Sequence, residues 1–186
     1  MILYFLLLTL FRHAPVPGLE RKQLTMFLLA IPAMLVVRLS TTHGHLPRTQ
    51  QNIAHLVRLG FDSLARETYL MARSSVINTR ARSLIFEGDL RHHIFQLSFV
   101  YFSLMRNTVR VFQQCFPPLM ASACVKWCHE RLGEFNESLG RQLSSVTVGS
   151  PTWRDCVDRA RDHAGMMGEV GLDFKGLVKA NEQARG

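Results

Sequence analysis

Cys124, Cys128 and His129 are the residues whose types most resemble a metal site, two thiolates with a neighbouring imidazole. On a helix, Cys124 and Cys128 share a face with Trp127 and Leu132, whereas His129 points about a quarter-turn away. No second ligand pair stands at zinc-site spacing, so packing is the expectation and no metal or other cofactor is assigned. His92 and His93, next to Arg91, could form a pH-sensitive contact, histidine being the residue type whose charge changes near neutrality; a solvated or interface-lining first helical turn is the expectation. Asp155, Asp158 and Asp162 suggest a carboxylate cluster, yet Arg154, Arg159 and Arg161 stand among them and favour an ion-paired wet face. No catalytic residue and no small-molecule substrate are assigned.

One constellation points to recognition. Arg66, Arg73 and Arg80 recur every seven residues on one predicted helix face, about 10 Å apart by helical rise, with Arg82 close by. They form a candidate interaction ridge for an acidic protein surface or anionic lipid, against the plainer reading of a solvated face. The charge of the whole chain agrees in sign: 22 Lys and Arg against 14 Asp and Glu, a net +8. Residues 1–118 carry this excess, as single arginines along helices. Nucleic-acid modules instead show dense basic clusters and signature motifs, so nucleic acid is not an expected partner. The four cysteines fall among apolar residues in helical patterns, where a free thiol behaves as a small hydrophobe in a reducing compartment.

The elements that must position these residues are helices. Leu90 to Phe116 reads as one long helix with two apolar stripes, Leu90, Ile94, Leu97, Tyr101, Leu104, Val111 and Cys115 beside Phe95, Phe99, Phe102, Met105, Val109, Phe112 and Phe116. Its remaining face, with Ser103, Arg106, Asn107, Arg110, Gln113 and Gln114, stays wet. Before it, the pattern predicts a short helix over 48–59 stopped by Gly60, then one from Asp62 or Ser63 to about Leu84 with Leu64, Ala65, Thr68, Tyr69, Met71, Ala72 and Val76 inward. Pro117 and Pro118 end the long helix. The next stripe runs through Met120, Cys124, Trp127, Cys128, Leu132, Phe135, Leu139 and Leu143, and Ser150–Pro151 opens a last helix. Phe99, Phe102, Phe112, Cys124, Trp127 and Cys128 are the expected core. No stretch alternates with period two, and no repeat is evident. The fold class is all-α, a helical bundle.

The runs NIAHLVRLGFDSLARETYLMARSSVINTRARSLIFEGDL (52–90), IFQLSFVYFSLMRNTVRVFQQCFPPLMASACVKW (94–127) and GEVGLDFKGLV (168–178) resemble the C-terminal helical region of exocyst complex component eight, the Exo-eighty-four family, in its filamentous-fungal form. The resemblance covers roughly 50–180 and rests on length and order. It implies a non-enzymatic subunit of the exocyst, an octameric complex that tethers secretory vesicles to the plasma membrane before exocytosis. It also implies a stacked-bundle rod of the cullin-repeat-like type, other exocyst subunits as partners, and a cytoplasmic location, peripheral at vesicles and plasma-membrane exocytic sites.

Nothing here resembles that family's N-terminal coiled coil or PH domain, so a truncated piece is expected: an apolar leader and linker over 1–47, the bundle over 48–180 and a tail over 181–186. Taken alone, such a piece should bind other subunits weakly, because a lost second contact removes an avidity of roughly 10²–10⁴. Met1 to Phe11 and Met26 to Val37 are each shorter than the ~18–20 residues that span a bilayer. A membrane anchor through 1–37 and a generic helical adaptor outside the exocyst remain the alternatives.

Overall fold

The computed structural model describes residues 46–180, and the leader and tail lie outside that range. Among the described residues there is no strand. Five α-helices, α1 Leu46–Arg58, α2 Asp62–Arg82, α3 Leu90–Cys115, α4 Ala121–Leu143 and α5 Pro151–Ala164, are joined by turns and by 3-10 segments at Pro118–Met120, Gly165–Val170 and Lys175–Leu177. The chain divides into two compact units between Ala72 and Arg73, inside α2.

In the first unit, α1 ends because Gly60 takes φ 80°, a left-handed conformation that costs glycine little. Phe61 then donates its amide to the Leu56 carbonyl at 2.9 Å and redirects the chain into α2. Ile53 and Leu56 are fully buried, as is Ala65, and Thr68, Tyr69 and Ala72 follow it inward. Leu64 and Met71, expected inward, are instead exposed, Met71 at 67 %. Each lies one residue before the 65–68–69–72 line, and one residue is about 100° of helical turn.

In the second unit α3 is the element against which α4, α5 and the Gly165–Val170 segment pack. Its start is fixed by Asp89, whose carboxylate accepts the Arg91 amide at 2.9 Å, after a turn in which Gly88 has φ 89°. Phe116 and the two prolines end it. Phe102 meets Phe135 of α4 edge-on at 5.0 Å, Tyr101 meets the same ring at 5.4 Å, and Phe112 stacks on Phe116 at 4.5 Å. Phe102, Phe112, Cys124, Trp127 and Cys128 are all buried.

Phe99 is not: it is 49 % exposed, which corrects its assignment to the core. The cause lies in α5, whose inward side chains are the small Cys156, Val157, Ala160 and Ala164. A helix so lined approaches closely but covers a narrow strip, and it leaves the flanking ring of Phe99 half uncovered.

Two buried hydroxyls complete the packing of α3. Thr108 and Ser98 are fully buried. Thr108 donates to the Leu104 carbonyl at 2.7 Å and accepts Arg73 Nε at 3.0 Å, while Trp127 Nε1 donates to Ser74 Oγ at 2.8 Å. Each bond satisfies a polar group that would otherwise be stranded in an apolar layer.

Candidate interaction surfaces

The arginine ridge is less uniform than its spacing suggests. Arg66, in the first unit, pairs with neighbouring Glu67 at 3.4 Å. Arg73, in the second unit, is turned inward to Thr108 and so belongs to the packing of α3. Arg80 and Arg82 are the exposed members.

The expected ion-paired face of α5 has a more specific form. Asp155 holds Arg159 at 3.2 Å and also Arg91 of α3 at 3.5 Å; Asp158 holds Arg161 at 3.4 Å, and Asp162 holds Lys175 at 3.6 Å. Further along the same seam, Arg106 and Arg110 of α3 both bind Glu169, Arg106 at 2.9 Å. Gln113 Nε2 donates to the Val170 carbonyl at 3.2 Å. The sequence put Arg106, Arg110 and Gln113 on the wet face of α3; the chain after α5 returns along that face and uses them.

His163, near the end of α5, sits against Phe95 and Phe99, with ring centroids 4.7 and 5.6 Å away. Its Nδ1 shares a 2.7 Å hydrogen bond with Ser98 Oγ, which also reaches the Ile94 carbonyl at 2.7 Å. Burial holds the His163 pKa below the ordinary histidine value, with Arg159 adding to the shift and Asp162 opposing it. The ring is therefore neutral at pH 7. Nothing in the spacing of Ser98 and His163, 65 residues apart, announced this contact.

His92 and His93 separate. His92 is exposed and bonded to Gln96 at 2.8 Å, but His93 is buried beneath the edge of Phe86, 5.6 Å between centroids, and is not part of a solvated turn. Position four of a helix faces the same side as the stripe begun by Ile94 and Leu97, which is why it is drawn in. His93 lines a cavity of about 520 Å³ together with Arg82, Tyr101, Glu134, Ser138 and Arg141. Burial, then the Glu134 charge, pushes the Tyr101 pKa up, so it stays a neutral phenol.

Cys128 is likewise raised, by its hydrogen bond with Cys124 and by burial, so its thiol is an inert packing group, and Cys124 is buried beside it. His129 points away to the ring of Phe174, 5.0 Å distant. Among the described residues no group of His, Cys, Asp and Glu could hold a metal ion, and no helix is long and apolar enough to cross a membrane. The candidate anchor in 1–37 lies outside those residues.

Residues 22–175 match the family described as Exocyst component 84 C-terminal. Exocyst complex component exo84 of Neurospora crassa is 54 % identical over 150 residues, 80 % of this chain and 22 % of that protein. Its counterpart in Aspergillus fumigatus is 49 % identical over 148 residues, again 80 % and 22 %. Exocyst complex component 8 of Rattus norvegicus is 30 % identical over 135 residues, 71 % of this chain and 19 % of that protein. The chain thus spans about a fifth of the length of these curated relatives. With a match that runs through all five helices, the chain belongs to the Exocyst component 84 C-terminal family.

Proposed function

We propose that this chain works as a non-catalytic helical module of an exocyst subunit, holding other exocyst subunits so that secretory vesicles are tethered to the plasma membrane before fusion. The observation that carries the reading is the extent of the family match, 154 consecutive positions from 22 to 175. The architecture suits it: the interior is filled with Phe102, Phe112 and Phe135, and the surfaces are lined by ion pairs. Such a body acts through its outside. Its place of work is the cytoplasmic side of vesicles and exocytic sites, as a peripheral component. Arg80 and Arg82, exposed in the last turn of α2, offer two separate cations for an acidic surface or anionic lipid, reduced from the four-residue ridge because Arg73 is engaged with Thr108 and Arg66 with Glu67.

The test is a graft. The matching segment of the Neurospora crassa subunit is replaced by residues 22–175 of this chain in cells lacking their own copy. Secretion without accumulation of vesicles is the expected outcome. Vesicles piling up while the grafted protein is present at normal level and assembled size would overturn the reading.

A further inference from the structure

We infer that the seam between α3 and α5 centred on Phe95 and Phe99 is a docking site for an acidic amphipathic helix of a neighbouring exocyst subunit, an assignment that rests on the function proposed above. Phe95 and Phe99 are 40 % and 49 % exposed, and their rings are parallel within 3° at 6.5 Å. His163 braces both rings from the side, and Ser98 fixes His163. Two half-exposed aromatic rings already held in place lose little side-chain freedom on binding, which is the property of an interface anchor.

Charge identifies the occupant. Asp155 holds Arg91 and Arg159, Glu169 holds Arg106 and Arg110, Asp158 holds Arg161 and Asp162 holds Lys175, so six cations meet four carboxylates along this seam. Two of the four carboxylates are shared by two arginines each, and the surplus cations flank the phenylalanines on both sides. Carboxylates from a partner would take the second arginine of each shared pair, because a guanidinium bonds a carboxylate in a planar fork. An apolar centre with basic ends asks for an apolar centre with acidic ends. The one-turn spacing of Phe95 and Phe99 matches the i,i+4 spacing of side chains on a facing helix. Partners with densely packed phosphates fit less well than singly spaced carboxylates, because Asp155, Asp158, Asp162 and Glu169 are interleaved among the cations.

The experiment uses the grafted full-length subunit with a photoreactive benzoylphenylalanine in place of Phe99, assembled into exocyst, irradiated and mapped by mass spectrometry. The expected product is a crosslink to a helix of another subunit that carries Asp or Glu one turn from an apolar residue. R110E should cut its yield at least tenfold, and an acid-to-arginine change in the crosslinked helix should restore it. E169Q, which frees both arginines, should raise the yield. Crosslinks confined to a second copy of this chain or to lipid, absence of any crosslink in assembled complex, or yields unmoved by R110E would each overturn the assignment. Rescue of secretion by the graft separates the two ideas: rescue without the crosslink removes the docking site and leaves the proposed function standing.

Discussion

At the scale of single residues, depth of burial and not residue type sets the cost of a change. Phe102 is completely buried against Phe135, so Phe102→Ala should cost about 3–5 kcal/mol, whereas Phe99→Ala should cost well under half of that because half the ring is already in water. Denaturant titration followed by tryptophan fluorescence measures both, since Trp127 and Trp153 lie in the second unit. Equal losses would mean that Phe99 is a core residue after all. His163 adds a pH signature. Its folded pKa is depressed by burial, so below the unfolded value of about 6.5 the unfolded chain binds the proton more readily. The associated stability is complete above that value and falls away as the pH drops through and beneath it. Acidifying from pH 7.5 to 5.5 should therefore destabilise the native chain more than its His163→Gln variant. Identical pH profiles would contradict this.

At the scale of elements, punctuation was legible and covering was not. Gly60, Pro117–Pro118 and Ser150–Pro151 end or start helices by local stereochemistry, and each does so where the sequence placed it. Ser150 Oγ accepts the Trp153 amide at 3.2 Å and Asp89 caps α3, so Ser150→Ala and Asp89→Ala should each cost about 1 kcal/mol, read from the same titrations. A change near zero in both would show that neither cap is formed in solution. The candidate surfaces were harder to read because they depend on what comes to lie beside a helix. Spacing put Arg73 on a ridge, but a buried Thr108 gives it an inward partner. Spacing gave α3 two apolar stripes, but the small inward residues of α5 leave the rims of Phe95 and Phe99 open. His93, by type, belongs to a solvated or interface-lining turn, although its position on the helix is an inner one. Ser98, equally polar by type, is likewise buried on an inner position.

At the scale of the whole molecule, the division inside α2 makes one helix answer to two packing environments. Residues 73–82 are bonded to α3 and α4 through Arg73–Thr108 and Ser74–Trp127, whereas 62–72 belong to the other unit. Hydrogen exchange should resolve the two halves of α2 into separate protection levels, each rising and falling with its own unit. A single uniform level through Asp62–Arg82 would make the helix one cooperative element. Circular dichroism of residues 48–180 expressed alone should show helix and no sheet beyond noise.

The return of the chain onto α4 also sets a schedule. Asn136 donates through Nδ2 to the Leu177 carbonyl at 3.0 Å and accepts the Lys179 amide at 3.2 Å, clamping an irregular strip whose Phe174, Val178 and Ala180 are buried. During synthesis α4 leaves the ribosome before that strip exists, since 41 residues separate Asn136 from Leu177. At roughly 5–20 residues per second the delay is about 2–8 seconds. For that interval the side of α4 that carries His129 and Asn136 waits open, and a nascent-chain chaperone has a defined window in which to shield it.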